Sequence, residues 1–338
     1  MTTGPAQPAD SARTLSADER SGVNEVSAVV VTHNSRASVD RCLAGLAAAG
    51  VRVTVVDTAS SDGTPDAVRS GYSDVELLPL SANVGFGAAA NEGVAAARAP
   101  YVLVLNADAW PVGDAIEQLV AAGLTLPDAG AIGPRLEGLD GKLERSYRGF
   151  PSLWRLATEY LFLRWLAPRT RLLNAFYGAG FDYRSLRDAE FLVGAALLFR
   201  RDAFLQVGGF DPSFFMFNEE VDLCYRLRQA GWRVLFVPDA TFVHVGGAST
   251  TPVREQMYRE QLRSHVRFLA KHRGHREAWL ARALLLVAMR VRGLVFRGER
   301  GRVSRATARW LAATDVDGLL EYEPPSRSLA ELATTPSS

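Results

Sequence analysis

Cysteine is scarce in this sequence, since the 338 residues include only Cys42 and Cys224. Neither cysteine lies in a cluster typical of a metal or redox site. Two isolated cysteines exclude a disulfide-stabilised scaffold, and they favour a reducing compartment such as the cytoplasm.

Long hydrophobic runs are absent too, although 48% of the residues are hydrophobic. No apolar run approaches the roughly 20 residues that a transmembrane helix requires. The longest late run, residues 284–289, is followed at once by Arg290 and Arg292. Residues 1–24 have no apolar core and are rich in Ala, Ser, Thr, Pro and charge, so we expect a disordered tail and not a signal peptide.

Charge is unevenly distributed along the chain, although the net charge is only +1. Residues 251–310 contain 15 lysines and arginines against 4 acidic residues, whereas the rest of the chain contains 23 basic and 33 acidic residues. A basic C-terminal segment beside an acidic body indicates an anionic surface or partner. Arginine beside leucine and tryptophan matches no groove-reading motif, so we do not expect nucleic acid.

The first third of the chain alternates between apolar, β-branched runs and segments with helical spacing. Four runs have the character of buried strands: residues 26–32, 51–56, 75–80 and 101–105. Such alternation predicts an α/β fold with a mostly parallel, Rossmann-like sheet and helices on both faces. Later segments predict a strand over 191–199, a loop and helix over 211–230, a strand over 233–237 and a basic helical region over 257–296.

These patterns divide the chain into four parts. We expect a tail over 1–24, an α/β domain over 25–250 with halves 25–131 and 132–250, a basic helical extension over 251–312, and a C-terminal tail over 313–338.

Polar residues stand where the four early strands end, at Thr32, His33, Asn34, Asp57, Asn83, Asn106 and Asp108. Because ligands of such sheets bind at the carboxyl ends of the strands, we expect these residues to converge on one crevice.

Two loops at this edge carry ligand-binding chemistry, each with a simpler alternative. Asp57 begins the turn over 57–64, where it can accept a hydrogen bond from a pyrimidine N–H, but a plain turn with a helix cap also explains it. The junction over 83–91 contains Gly85 and Gly87, which let a backbone approach a ligand or let a helix pack tightly on the sheet. Its spacing differs from the dinucleotide fingerprint.

Asp108 can bind a divalent cation that bridges two phosphates, and hard oxygen ligands suit Mg²⁺ or Mn²⁺. His244 can be a further metal ligand, although a hydrogen-bonded core histidine is the simpler interpretation.

Three acids lie within four positions after an aromatic run: Glu219, Glu220 and Asp222. Clustered carboxylates repel one another, so they require a metal, a cation or a raised pKa. A carboxylate at the mouth of a pocket can act as the base that deprotonates a hydroxyl. The alternative is the solvated first turn of a helix, where acids are favoured.

Taken in order, these segments resemble the family 2 glycosyltransferases over about residues 26–265. The matching segments are VVVTHN, VVDTASSDGT, NVGFGAAANEG, VLNADAW, GAALLFRR and GGFDPSFFMFNEEVDLCYRLRQAGW, followed by His244. The resemblance implies a GT-A fold and transfer of a sugar from a nucleotide-sugar donor. Within the family, the chain is similar to actinobacterial rhamnosyltransferases of cell-wall linker synthesis, which transfer L-rhamnose from dTDP-rhamnose to polyprenyl-diphosphate-linked N-acetylglucosamine.

The resemblance also implies roles for individual residues. Nucleotide-sugar binding falls to Thr32, His33, Asn34, Asp57, Asn83, Gly85, Gly87, Asn106 and Ala107. Asp108 and His244 would bind the Mg²⁺ or Mn²⁺ cofactor. Glu220 would be the general base, with Glu219 and Asp222 orienting the acceptor or supporting the base.

Two positions depart from the family pattern. Asn106 stands where the metal motif often has Asp, and Glu220 stands where the base is commonly Asp. The longer side chain leaves open whether Glu219 or Glu220 acts.

The resemblance implies a single displacement with inversion, which needs no serine or cysteine nucleophile. The alternatives are a transferase of the same fold with another donor, galactofuranosyl or glucosyl, and a non-catalytic sugar-binding homologue.

The basic extension has the composition of an interfacial amphipathic helix. Apolar residues Trp279, Leu280, Ala283, Leu284, Val287 and Leu294 alternate there with Arg282, Arg290, Arg292 and Arg297. Such a helix fits the anionic cytoplasmic face of a membrane. A second apolar contact is predicted at Trp154, Tyr160, Phe162 and Trp165. The alternative is a helical appendage packed on the core, with its basic face in water.

Overall fold

The computed structural model describes residues 25–174, 176–246 and 254–321. The described strands are β1 (Val26–Thr32), β2 (Arg52–Thr58), β3 (Glu76–Leu80), β4 (Tyr101–Asn106), β5 (Ala109–Val112), β6 (Ala129–Glu137), β7 (Leu143–Glu144), β8 (Tyr147–Arg148), β9 (Arg187–Asp188), β10 (Phe191–Leu192), β11 (Ala196–Arg200) and β12 (Arg233–His244).

The described helices are α1 (Val39–Ala48), α2 (Thr64–Gly71), α3 (Phe86–Ala96), α4 (Ala115–Thr125), α5 (Leu153–Tyr160), α6 (Arg201–Gln206), α7 (Glu219–Gln229), α8 (Arg254–Arg273), α9 (His275–Val295), α10 (Gly298–Ala313) and α11 (Val316–Leu320). A 3₁₀ turn spans Leu163–Trp165.

One large sheet organises the chain, with strand order β3-β2-β1-β4-β11-β6-β12-β5. The first four strands of that order pair in parallel. Strand β11 runs antiparallel between β4 and β6, and β6 and β12 are parallel again. The predicted mostly parallel α/β sheet is therefore confirmed.

Both faces of the sheet are covered, because its central strands are apolar on both sides. All seven residues of β1 are buried, as is typical of a strand inside a parallel sheet. Val29 and Val31 face a core shared with α3, α7 and the C-terminal helices. Ala28 and Val30 face a second core shared with α1 and α4. The helices on both faces are as predicted.

The strand predicted over 191–199 is interrupted in the structure. Strand β10 pairs with β8 in a separate two-stranded sheet, whereas β11 joins the large sheet. Between them, the backbone N–H of Val193 donates to Ser146, and the carbonyl of Ala195 accepts from Asn106. At this break, Gly194 and its neighbours form part of a cleft wall.

The C-terminal helices pack on the body of the molecule and complete its larger core. Leu262, Phe268 and Leu285 are fully buried there. Helix α11 lies within the segment that the sequence assigns to a tail, and its Leu319 is buried as well. Residues 1–24 and 322–338 of the predicted tails lie outside the described residues. Within the part of the chain that is described, no helix is long and apolar enough to span a bilayer.

A test of the packing between α3 and β1 uses Gly93. A Cβ added there would lie 2.4 Å from Val29 Cγ1, so we expect Gly93→Ala to lower the free energy of unfolding by about 1–3 kcal/mol. The control is Gly71→Ala at the end of α2, where a Cβ meets no heavy atom within 4 Å and the change should be neutral or stabilising by up to about 1 kcal/mol. Equal stability of the two variants in urea unfolding would contradict this packing.

Candidate active site

A cleft of about 470 Å³ opens at the carboxyl ends of β1, β2 and β4. Of the residues predicted for the site, it brings together His33, Asn83, Gly85, Asn106, Ala107, Asp108, Glu219, Glu220 and His244. The remaining predicted residues are Thr32, Asn34, Asp57, Gly87 and Asp222, which do not line it.

Thr32 and Asp57 lie behind the cleft wall, where their side chains order the loops at its edge. The Thr32 hydroxyl donates to Asp57 Oδ2 at 2.7 Å, and the same carboxylate accepts from the backbone and hydroxyl of Ser60. Asn34 is exposed and accepts a hydrogen bond from the backbone of Ser61 at 2.9 Å. These contacts fix the turn after β2 and leave Thr58 and His33 at the cleft surface, with His33 Nδ1–H donating to the Thr58 carbonyl at 2.8 Å.

Gly85 and Gly87 are positions of close approach, but their neighbours belong to the segment over 210–219 and not to the sheet. A Cβ on Gly85 would lie 2.1 Å from the carbonyl oxygen of Phe215, and its φ of +85° also favours glycine. A Cβ on Gly87 would lie 2.9 Å from Phe210 Cβ and 3.2 Å from Glu219 Cβ. Gly85, at the end of the loop after β3, and Gly87, in the first turn of α3, therefore allow close contact with the segment that carries the acids.

Asp108 and His244 meet at one side of the cleft, with Nε2 of the imidazole 3.5 Å from Oδ1 of the carboxylate. The other ring nitrogen, Nδ1, lies 2.8 Å from Oε2 of Glu144. Burial alone would lower the pKa of His244, but its hydrogen bonds to Asp108 and Glu144 raise that pKa to about 9.

This pair fits a divalent cation. A carboxylate and an imidazole face one point, and Glu144 fixes the ring as an outer carboxylate does in metal sites. In the described part of the chain, no three such side chains are arranged to hold an ion by themselves. A cation here would take its remaining ligands from a bound diphosphate or from water.

Glu219 and Glu220 lie at the start of α7, and neither forms a salt bridge with a described lysine, arginine or histidine. Their Oε2 atoms make no hydrogen bond within the described residues. Burial, together with the neighbouring charge of Glu220, raises the pKa of Glu219 well above its usual range. Burial also raises the pKa of Glu220, against the lowering effects of backbone N–H groups and of Arg148.

Asp222, predicted to orient the acceptor or support the base, does not line the cleft. It is fully buried away from the cleft, and its carboxylate pairs with Arg226, Lys271 and His272, each at 2.7 Å. Burial alone would raise its pKa, but the hydrogen bond from His272 and the two positive charges lower it to about 2. Residue 222 lies about 200° around the helix from Glu220, which explains why the two side chains diverge.

Several lining residues were not predicted from the sequence. Two come from α8, Gln256 and Met257, and the others are Val31, Ser35, Ser38, Thr58, Phe86, Val193, Gly194, Ala195, Phe215, Met216 and Phe217. The aromatic run before the acids indicated that Phe215, Met216 and Phe217 could lie near the site. Nothing in the local pattern indicates that α8 reaches the cleft.

Comparison with known proteins decides the family. Residues 27–208 match the family described as Glycosyl transferase family 2, and residues 158–297 match Glycosyl transferase family group 2. The chain belongs to glycosyl transferase family 2. It is therefore a glycosyltransferase, as the sequence predicted.

Two relatives of the transferase are from Mycobacterium tuberculosis. N-acetylglucosaminyl-diphospho-decaprenol L-rhamnosyltransferase is 38% identical over 237 residues, which cover 66% of this chain and 76% of the relative. Pre-mycofactocin glycosyltransferase is 26% identical over 238 residues, covering 65% of this chain and 42% of the relative.

The GT-A fold expected for the transferase is confirmed by a solved structure. The crystal structure of GalNAc-T7 with UDP, GalNAc and Mn²⁺ has a TM-score of 0.53 and 14% sequence identity, over 85% of this chain and 56% of that chain. At this identity the likeness concerns the fold alone.

The raised pKa of Glu219 makes a prediction about stability. In the unfolded chain this carboxyl ionises near pH 4.5, whereas the folded protein favours its protonated form. The folded state is therefore destabilised progressively as pH rises above that value. We expect Glu219→Gln to raise the thermal midpoint at pH 8, with the difference from wild type vanishing at about pH 4.

The control for this measurement is Asp66→Asn on α2, whose side chain is 84% exposed and which should change the midpoint little at either pH. If the Glu219→Gln protein is no more stable than wild type at pH 8, ionisation of the buried carboxyl does not destabilise the folded state.

Proposed function

We propose that this transferase moves L-rhamnose from dTDP-rhamnose to a hydroxyl of polyprenyl-diphosphate-linked N-acetylglucosamine, with inversion at the anomeric carbon. The observation that carries the proposal is the 38% identity to the mycobacterial L-rhamnosyltransferase over 76% of that protein. The dTDP donor follows from the resemblance of the motifs to rhamnosyltransferases.

Glu220 is the proposed general base, and Glu219 supports it. Glu220 lines the cleft beside Gly194, where a Cβ added to the glycine would lie 3.3 Å from Glu220 Cβ. We place the acceptor hydroxyl in the cleft at this carboxylate. Glu219 is buried, whereas Glu220 is partly exposed at the cleft. We therefore assign proton abstraction to Glu220 and hydrogen-bond donation to Glu219.

The charge of the cleft supports a metal cofactor, Mg²⁺ or Mn²⁺. The ionisable side chains among its described lining residues are the carboxylates Asp108, Glu219 and Glu220 with the imidazoles His33 and His244. No lysine or arginine is among those lining residues, so a diphosphate beside the Asp108 carboxylate is repelled unless a metal cation intervenes. Asp108 and His244 would hold that cation, which when bound would neutralise charge on the departing nucleoside diphosphate.

An apolar surface at one end of the C-terminal helices supports contact with a membrane, at its cytoplasmic face. Trp165 is 71% exposed and Leu294 is 86% exposed. The segments that carry them are in contact, because the ring of Phe162 packs edge-on against that of Phe296 with centroids 5.5 Å apart. Exposed arginines, Arg290 and Arg297, stand beside this surface, as anionic lipid would require. Tyr160, which the sequence placed in the same contact, is buried and is removed from it.

A donor panel tests the proposed reaction. The protein is incubated with Mg²⁺ or Mn²⁺, with UDP-, GDP- or dTDP-sugars, and with a short-chain polyprenyl-diphosphate N-acetylglucosamine, and free nucleoside diphosphate is measured. We expect release of dTDP from dTDP-rhamnose alone, reduced about 10²- to 10⁴-fold in Glu220→Gln because the base is lost. Asp108→Ala should abolish the metal-dependent release, and Asp140→Asn, at an exposed ion pair, is the control.

Release of nucleoside diphosphate from another nucleotide sugar would still show a glycosyltransferase, but it would exclude dTDP-rhamnose as the donor. If Glu220→Gln keeps full transfer activity and Glu219→Gln loses it, the general base is Glu219 and not Glu220.

Membrane contact is tested by flotation with phosphatidylglycerol vesicles at low and high salt. We expect binding that weakens with salt, since charge attraction is screened, and loss of binding when Trp165→Ser and Leu294→Ser are combined. The matched control is Leu139→Ser between β6 and β7, which replaces another exposed leucine, 63% exposed, outside the proposed membrane surface. Absence of binding at both salt concentrations would contradict the membrane surface.

A further inference from the structure

The turn that presents the two glutamates has an unusual backbone. Phe217 and Asn218, the two residues before α7, have φ values of +65° and +68°. Asparagine tolerates this left-handed region, but a bulky residue such as phenylalanine adopts it at a free-energy cost. Two consecutive residues in this conformation therefore require contacts that hold them there.

Helix α8 supplies a row of such contacts along the segment over 211–222. Ser264 donates to the carbonyl of Met216 at 3.0 Å, and Arg267 donates to the carbonyl of Ser213. One turn further on, Lys271 pairs with Asp211 at 2.6 Å. The spacing of these three residues on α8 puts them on one helix face.

His265 makes the contact at the turn itself. Its Nδ1 lies 2.9 Å from Nδ2 of Asn218, and since an amide NH₂ can only donate, Nδ1 is the acceptor and carries no proton. The ring is 2% exposed and lies edge-on to Tyr160 and Phe176, with centroids 6.0 and 6.1 Å away. Burial lowers the pKa of His265 to about 4, which agrees with a ring that accepts through Nδ1.

We propose that His265 is a positioning residue for the reaction, which accepts a hydrogen bond from Asn218 and so holds the Phe217–Asn218 turn that aims Glu219 and Glu220 into the cleft. This proposal rests on the proposed function and deepens it, because it assigns helix α8 a part in placing the proposed base. The opposite side of the same segment is already fixed, since Phe86 N–H donates to the Phe215 carbonyl at 3.1 Å.

Three variants separate the hydrogen bond from the packing of the ring. His265→Phe fills the space but removes the acceptor, whereas His265→Asn keeps an acceptor oxygen near the place of Nδ1. Asn218→Gly removes the donor and tolerates the positive φ. Leu269→Ala, at a fully buried position of α8, is the control for general loss of stability.

Amide hydrogen exchange is the first readout, because it does not depend on catalysis. We expect His265→Phe to speed exchange over 213–222 at least about tenfold relative to β1 and β4, since the turn opens locally. Leu269→Ala should not single out that segment. In transfer assays, His265→Phe should lower kcat about 10- to 100-fold with little change in the donor KM, because the base is misplaced and donor contacts are kept.

The kcat of His265→Asn should stay within about threefold of wild type, because this variant keeps the acceptor. The His265→Phe/Asn218→Gly double variant should be no worse than either single variant, because each of the three lacks the same hydrogen bond. Unchanged exchange over 213–222 in His265→Phe, or equal damage from His265→Asn, overturns the proposal. Wild-type protein that transfers no sugar would instead refute the proposed function, and the exchange comparison would still decide the role of His265.

Discussion

The segment between Phe215 and Glu220 is held on two sides, and the arrangement of the cleft depends on that restraint. On one side, the absence of a side chain at Gly85 lets Phe215 approach the loop after β3. On the other, α8 contacts the segment through Ser264 and His265. The strained turn between these contacts places two buried carboxylates at the start of α7. The loop before α3 and helix α8 therefore both contact the segment that leads into the two glutamates.

Burial of two carboxylates beside the cleft raises their pKa values, and their ionisation destabilises the folded state. Asp222, two residues after Glu220, shows the alternative, since its buried charge is paired with Arg226, Lys271 and His272. Glu219 and Glu220 lack such partners for their Oε2 atoms among the described residues, so their pKa values rise. A carboxylate with a raised pKa is a stronger base near neutral pH, which suits proton abstraction from a hydroxyl.

The sequence predicted what local patterns encode and missed what depends on distant packing. Polar strand ends predicted the cleft because parallel strands share one carboxyl edge. His244 reaches Asp108 because β12 pairs antiparallel with β5, with His244 opposite Ala109, and only the family resemblance indicated that pairing. Acidic character alone could not separate Asp222 from Glu220, since helical rotation decides which side each faces. The contacts of His265 have no local signature.

We propose that the sugar moves in one displacement, with a carboxylate acting as base and no covalent intermediate. The most direct test is the anomeric configuration of the product, from the one-bond C1–H1 coupling in its NMR spectrum, compared with that of the donor. We expect inversion of the anomeric configuration. Retention of configuration would require a second displacement and a nucleophile in the cleft, and it would contradict the roles given to Glu220 and Glu219.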